Sequence, residues 1–176
     1  MGKLYICKGL PASGKTFWAR KFVEDRGFRA VRVNRDDLRM MAHNGGYSPE
    51  RELFVVRAAL GMIAQALQYG YDVVSDDTNL RNHICEQLLT VAAVCNYQVE
   101  WVLFETPLNV CIERDKQRDR PVGEHTIRSM SLSSDLMTVA MLALPATVVS
   151  STGTERHLNT PWKQGGPEHV PTAVDS

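Results

Sequence analysis

Four short runs of this sequence combine residue types that handle phosphate. The first, Gly9-Leu10-Pro11-Ala12-Ser13-Gly14-Lys15-Thr16, fits G-x-x-x-x-G-K-[ST] directly after an apolar run and directly before a stretch of helical spacing. Glycines at these positions let the backbone wrap closely around phosphate oxygens, so that successive amides and the helix N-terminus point at the anion. Lys15 adds a positive charge at the β and γ phosphates, and Thr16 offers a hydroxyl to Mg2+. The run predicts a nucleoside triphosphate site, but a phosphate loop alone does not separate a kinase from a switch GTPase or a motor ATPase.

The second run, Val33-Asn34-Arg35-Asp36-Asp37-Leu38-Arg39, puts an acid just past a predicted strand, on the rim expected to carry the phosphate loop. A carboxylate there can take the proton from an acceptor hydroxyl while the loop holds the γ-phosphate in line. Arg39, three residues after Asp36, shares its helical face and can hold a phosphate or pair with the acid. The same spacing also fits Asn34 and Asp36 as plain helix caps. The third run, Ser75-Asp76-Asp77-Thr78-Asn79-Leu80, repeats the theme after another strand, with an Asx turn capping the next helix as the structural alternative. The fourth is a helical face with Arg114 and Arg118, flanked by Lys116 and Arg120 and ended by Pro121. Such a segment can close over a transferring phosphate, although the interleaved Glu113, Asp115 and Asp119 equally fit a salt-bridged surface helix.

The elements that must position these runs alternate. Strands are predicted over 4–7, 30–33, 72–75 and 98–104. Helices are predicted over 15–25, 38–42 and 82–96, from Pro107 to about Lys116, and over 126–142. Ser48-Pro49 opens a long helix that Gly70 closes, in which Leu53, Val56, Leu60, Ile63 and Leu67 form the stripe expected to face the core. Strand-helix-strand alternation implies an α/β architecture, a parallel sheet with helices on both faces and ligands beyond the carboxyl ends of the strands. Pro161, Gly165, Gly166, Pro167 and Pro171 crowd the end of the chain, so we expect one domain over 1–152 and a poorly ordered tail over 153–176.

Composition narrows the class further. The chain has 176 residues, 44% of them hydrophobic and 23% charged, which suits one ordinary globular domain and disfavours disorder or a coiled coil. Twenty basic residues balance twenty acidic ones, so nucleic-acid contact must come from a local patch rather than from general attraction. No run reaches the length of a membrane span, and the first residues lack a signal peptide's apolar region, so the cytoplasm is the expected location and a membrane is not an expected partner. Cys7, Cys85, Cys95 and Cys111 have no metal-ligand or disulfide spacing and are expected to be reduced.

In this order and spacing the four runs resemble the kinase domain of bacteriophage polynucleotide kinase, over roughly Lys3 to Met130. The resemblance rests on GLPASGKT, VNRDDLR, VVSDDTNL and the ERDKQR segment, and it implies a P-loop kinase fold with an arginine-bearing lid. It implies that ATP and Mg2+ bind at Lys15 and Thr16, that Asp36 is the general base, and that Arg39 holds a substrate phosphate. Asp77, with Thr78 and Asn79, matches the acceptor-side run, the doubled Asp76-Asp77 leaving two acids for one part. Arg118 matches the lid arginine on the donor phosphates, and Arg114 its neighbour one turn earlier. The implied substrate is DNA or RNA, with a 5′-hydroxyl end as the lead acceptor.

Two departures from the family pattern matter. Ala12 stands where these kinases often have glycine, which the loop accepts if that residue needs no positive φ. No DxDxT-type phosphatase motif occurs, so a kinase without the 3′-phosphatase activity is expected. A second reading is therefore a phage-type kinase of internal 5-hydroxymethyluracil bases, which would need the base presented unpaired. A small-molecule P-loop kinase is a third, and a nucleotide-dependent switch without transfer chemistry is a fourth.

Overall fold

The computed structural model describes residues 2–158. In chain order its elements are β1 (Lys3–Lys8), α1 (Lys15–Arg26), β2 (Ala30–Val33), α2 (Arg35–His43), α3 (Pro49–Gln68), β3 (Asp72–Ser75) and α4 (Asn82–Val94). They continue with β4 (Gln98–Phe104), α5 (Leu108–Lys116), α6 (Glu124–Leu132), α7 (Val139–Leu142), β5 (Ala146–Val149) and β6 (Glu155–Leu158). The six strands form one sheet in the order β2-β3-β1-β4-β5-β6.

β1 is central, and both of its faces are apolar because both are covered. Leu4 and Ile6 join the core beneath α3 and α4, while the alternate residues Tyr5 and Cys7 pack with Ala19, Trp18 and Phe22 of α1. β1 through β5 pair in parallel, so their carboxyl ends lie on one rim. The chain turns into helix at that rim by capping: Asn34 Oδ1 accepts from the Asp37 amide at 2.9 Å to start α2. Ser48 Oγ accepts from the Arg51 amide at 3.3 Å ahead of Pro49 to start α3.

Three sequence expectations change. The buried stripe of α3 is Val55, Ala59, Ile63, Ala66 and Leu67, while Leu53 is 52% exposed. Two of the five buried positions are alanines, so leucine spacing alone misplaces the stripe by a fraction of a turn. The helix expected over 126–142 is two helices, α6 and α7, because the chain between them docks on the start of α4. There the Asp135 amide donates to the Leu80 carbonyl at 2.9 Å and the Asp135 carboxylate accepts from the Asn82 amide at 2.8 Å. Finally, the sheet is mixed. The sequence pattern gives no β5, although Thr147, Val148 and Val149 within it are β-branched, and β6 pairs antiparallel to it. β6 therefore places residues 155–158 of the expected tail in the sheet; Trp162, Lys163 and the rest of that segment lie outside the described residues.

Candidate active site

The loop between β1 and α1 is held open by its neighbours on the rim. The Gly9 amide donates to the Thr78 carbonyl at 3.1 Å, and the Thr106 hydroxyl donates to the Ser13 carbonyl at 2.8 Å. A methyl group on Gly9 would lie 2.8 Å from the Phe104 Cβ, so only glycine allows this approach. Gly14, at φ 108, turns the chain into α1. Ala12 has φ 60, so the condition under which alanine is costless there is not met: it occupies the left-handed region that glycine prefers.

Lys15 is buried at the first position of α1, and its ammonium is folded back into the loop. Its Nζ donates to the Gly9 carbonyl at 3.0 Å, the Leu10 carbonyl at 2.5 Å and the Ser13 hydroxyl at 3.2 Å. Burial pulls its pKa below the usual lysine range, opposed by neighbouring acidic groups that include Asp76 and Asp77. Outside this cradle is a cavity of about 240 Å³ lined by Ala12, Gly14, Lys15, Thr16, Phe17, Arg114 and Arg118. Three basic residues and a helix N-terminus thus border one small space, which gives it the electrostatic setting of an anion site.

The doubled aspartates divide between two neighbours. Asp76 is almost fully buried, with Oδ1 3.3 Å from the Thr16 hydroxyl and Oδ2 2.7 Å from Arg32 Nε. Asp77 instead accepts from Arg35, at 3.2 Å from its amide and 3.0 Å from its Nε. Burial raises the pKa of both acids, and the two arginines oppose it. The Thr16 hydroxyl with Asp76 behind it fits an Mg2+ carried on a triphosphate, which needs few protein ligands, and Lys15 with the loop amides fits the phosphates. Bound there, ATP would supply the γ-phosphoryl group and the metal would neutralise charge on its oxygens.

Asp36 lies on α2 with its side chain 79% exposed, 2.5 Å from Arg39 Nη1. Arg39 also donates to Glu52 Oε2 from Nη2 at 2.7 Å and from Nε at 3.1 Å, and Arg35 Nη1 lies 3.9 Å from Glu52 Oε1. Asp36, Arg39, Glu52, Arg35 and Asp77 therefore form one chain of charges from the exposed acid to the rim of β3. An exposed carboxylate next to a fixed guanidinium can accept a proton from an alcohol that the arginine helps to position.

Arg114 donates from Nη2 to the Ser151 carbonyl at 2.6 Å, linking α5 to the β5–β6 turn. Arg118 Nη1 lies 3.2 Å from Asp115 Oδ1, and Asp115 Oδ2 accepts from the Gly123 amide at 2.8 Å. Thr78 supports the phosphate loop through its carbonyl. Asn79 is buried with φ 45, and its Nδ2 donates to the Cys7 carbonyl at 2.8 Å. Asn79, expected on the acceptor side, has a side chain that ties the β3 loop to β1.

Sequence reasoning missed Glu52, Arg32, Arg35 and Asp115 as parts of the site. For Arg32 and Arg35 a signal existed, because both flank the Asn34 cap on the rim. Glu52 gave none, since its contact to Arg39 spans two helices.

The fold is that of a P-loop kinase, and known proteins share it. The chain is 24% identical over 130 residues to an L-seryl-tRNA(Sec) kinase of Methanococcus maripaludis, covering 72% of this chain and 50% of that protein. A chain of the Pnkp1/Rnl/Hen1 complex is 27% identical with a TM-score of 0.58, over 64% of this chain and 38% of the other. The Mycobacterium tuberculosis APS kinase CysC, solved with AMPPNP and APS, has a TM-score of 0.55 at 24% identity, over 65% and 68% of the two chains. The chain thus spans half or less of the first two relatives' lengths. The AAA domain family model matches residues 4–136, a span holding the phosphate loop, Asp36, both rim aspartates, Arg114 and Arg118, and the chain belongs to that family.

Proposed function

We propose that this protein is an ATP-dependent kinase that transfers the γ-phosphate to a primary hydroxyl on a nucleic-acid polymer, with a 5′-hydroxyl end of DNA or RNA as the lead acceptor. The observation that carries the reading is the pairing of an exposed acid, Asp36, with a fixed arginine, Arg39, on the same rim as the cation-lined cavity of the phosphate loop. In this reading Asp36 accepts the hydroxyl proton, Arg39 holds the acceptor's own phosphate, and Lys15 holds the donor phosphates. Arg114 and Arg118 neutralise the charge that builds on the transferring group. Asp77 positions Arg35 beside the acceptor, and Asp76 supports Thr16 at the metal. The relatives supply supporting parallels, one named as a kinase of an aminoacylated tRNA and one a Pnkp1 complex chain.

The test is transfer of label from γ-labelled ATP. Single-stranded DNA and RNA with free 5′-hydroxyl ends are compared with DNA whose ends are blocked and which contains internal 5-hydroxymethyluracil. Label on free ends is the expected result. Label on the blocked DNA alone moves the acceptor to the base, and label on none of the three sends the assignment to small alcohols.

A further inference from the structure

The surface beyond Asp36 carries residues that phosphoryl transfer does not use. His43 lies seven residues after Asp36 along α2, about 10 Å away at helical rise. Its ring packs edge-on against Phe54 of α3 at 5.4 Å. Phe54 is nevertheless 56% exposed, and Tyr47, just before the Ser48 cap, is 70% exposed. On α3 the exposed residues Arg51 and Arg57 bracket Phe54 at steps of three, and neither has an acidic partner among the described residues. Arg35 and Arg39, deeper in the site, are both held by carboxylates. Free cations alternating with exposed aromatic rings is the composition of a surface that tracks a phosphate backbone and stacks unpaired bases.

We propose that Tyr47, Arg51, Phe54 and Arg57 form a track that binds a single-stranded polynucleotide running away from the acceptor hydroxyl at Asp36. The proposal rests on the reading of Asp36 as the acceptor-side base. The distance from Asp36 to His43 equals about three nucleotides at a stacked rise of 3.4 Å, so Phe54 meets a base a few positions inside the strand. A base inside a duplex has both faces covered and cannot stack there, so the occupant is an unpaired strand. DNA and RNA share this backbone and these ring faces, and the experiment separates them.

Kinetics are measured for Phe54→Ala and for the pair Arg51→Ala/Arg57→Ala with three acceptors: a single-stranded DNA 12-mer, the same sequence in RNA, and a nucleoside 3′-monophosphate. Phe54→Ala is expected to raise KM for at least one 12-mer roughly tenfold, leaving KM for the monophosphate and for ATP unchanged. The arginine pair is expected to flatten the dependence of log KM on log salt by about 1.4, or about 0.7 for each lost phosphate contact. The 12-mer that responds more identifies the sugar. An unchanged 12-mer KM in Phe54→Ala with an unchanged salt slope overturns the track while leaving the kinase reading intact. Where the wild-type protein phosphorylates none of the three, the kinase reading fails, and the track is then decided by fluorescence anisotropy of a labelled 5′-phosphorylated 12-mer. Binding that weakens roughly tenfold in Phe54→Ala upholds it, and absent or unaltered binding overturns it.

Discussion

Glu52 on α3 holds Arg39 on α2 at two points, with Oε2 2.7 Å from Nη2 and 3.1 Å from Nε, and so turns the remaining Nη1 toward Asp36. A half-buried acid that orients a guanidinium fixes where an acceptor phosphate can sit. Glu52→Gln keeps the shape and removes the charge, which leaves Arg39 to pair with Asp36 alone. The expected outcome is a roughly tenfold loss of kcat/KM for the acceptor, about 1.4 kcal/mol, with KM for ATP unchanged. Steady-state kinetics varying ATP and acceptor independently check it, and a parallel rise in the ATP KM would move Glu52 out of the acceptor side.

Lys15 and Asp36 serve different ends of the transfer and should fail differently. Lys15→Ala removes the charge that the loop holds at its centre, so ATP binding by calorimetry and transfer are both expected to be lost. Asp36→Asn is expected to bind ATP as the wild type does while turnover drops by about 10² to 10⁴, the usual worth of a general base. Comparable turnover in Asp36→Asn would remove the proton-acceptor role.

Much of this arrangement was legible in the residue order, and the losses have physical causes. The phosphate loop, the Asn34 and Ser48 caps and the four parallel strands β1 to β4 are local patterns, set by residues within a few positions of one another. The division of Asp76 and Asp77 was not legible, because both belong to one strand end and only the arginines facing them tell them apart. Glu52 escaped for the same reason at longer range. β5 and β6 escaped because short strands at a sheet edge carry little periodic signal, and the Gly and Pro content beyond them suggested a tail.

Ala12 and Gly9 set opposite expectations for the phosphate loop. Ala12→Gly removes the left-handed strain at φ 60, about 1 kcal/mol, but adds a similar freedom to the unfolded chain. The melting temperature should stay within about 2 °C of wild type. Gly9→Ala would place a methyl 2.8 Å from the Phe104 Cβ, forcing the loop or β4 to shift at about 1–3 kcal/mol. Calorimetric melting with and without ATP checks both, and a Gly9→Ala protein with wild-type stability and ATP affinity would contradict the packing argument.

Asp115 anchors the arginine-bearing segment, and its protonation gives a pH test. Burial favours its neutral form, but the Gly123 and Val122 amides and the Arg118 guanidinium outweigh burial and hold its pKa below the usual carboxylate range. A group with a depressed folded pKa contributes stability that is complete above its unfolded value, about 3.9, and is lost as pH falls through the folded value. Asp115→Asn cannot carry the charge at any pH. It should therefore be destabilised by roughly 2 kcal/mol near neutrality, the scale of hydrogen bonds to a charged group. The gap to wild type should then close on acidification below about pH 4. Urea unfolding at pH 7, 5 and 3 measures the gap directly. A gap that stays constant across that range would mean that Asp115 acts through shape alone, and that the Arg118 segment is not held by charge.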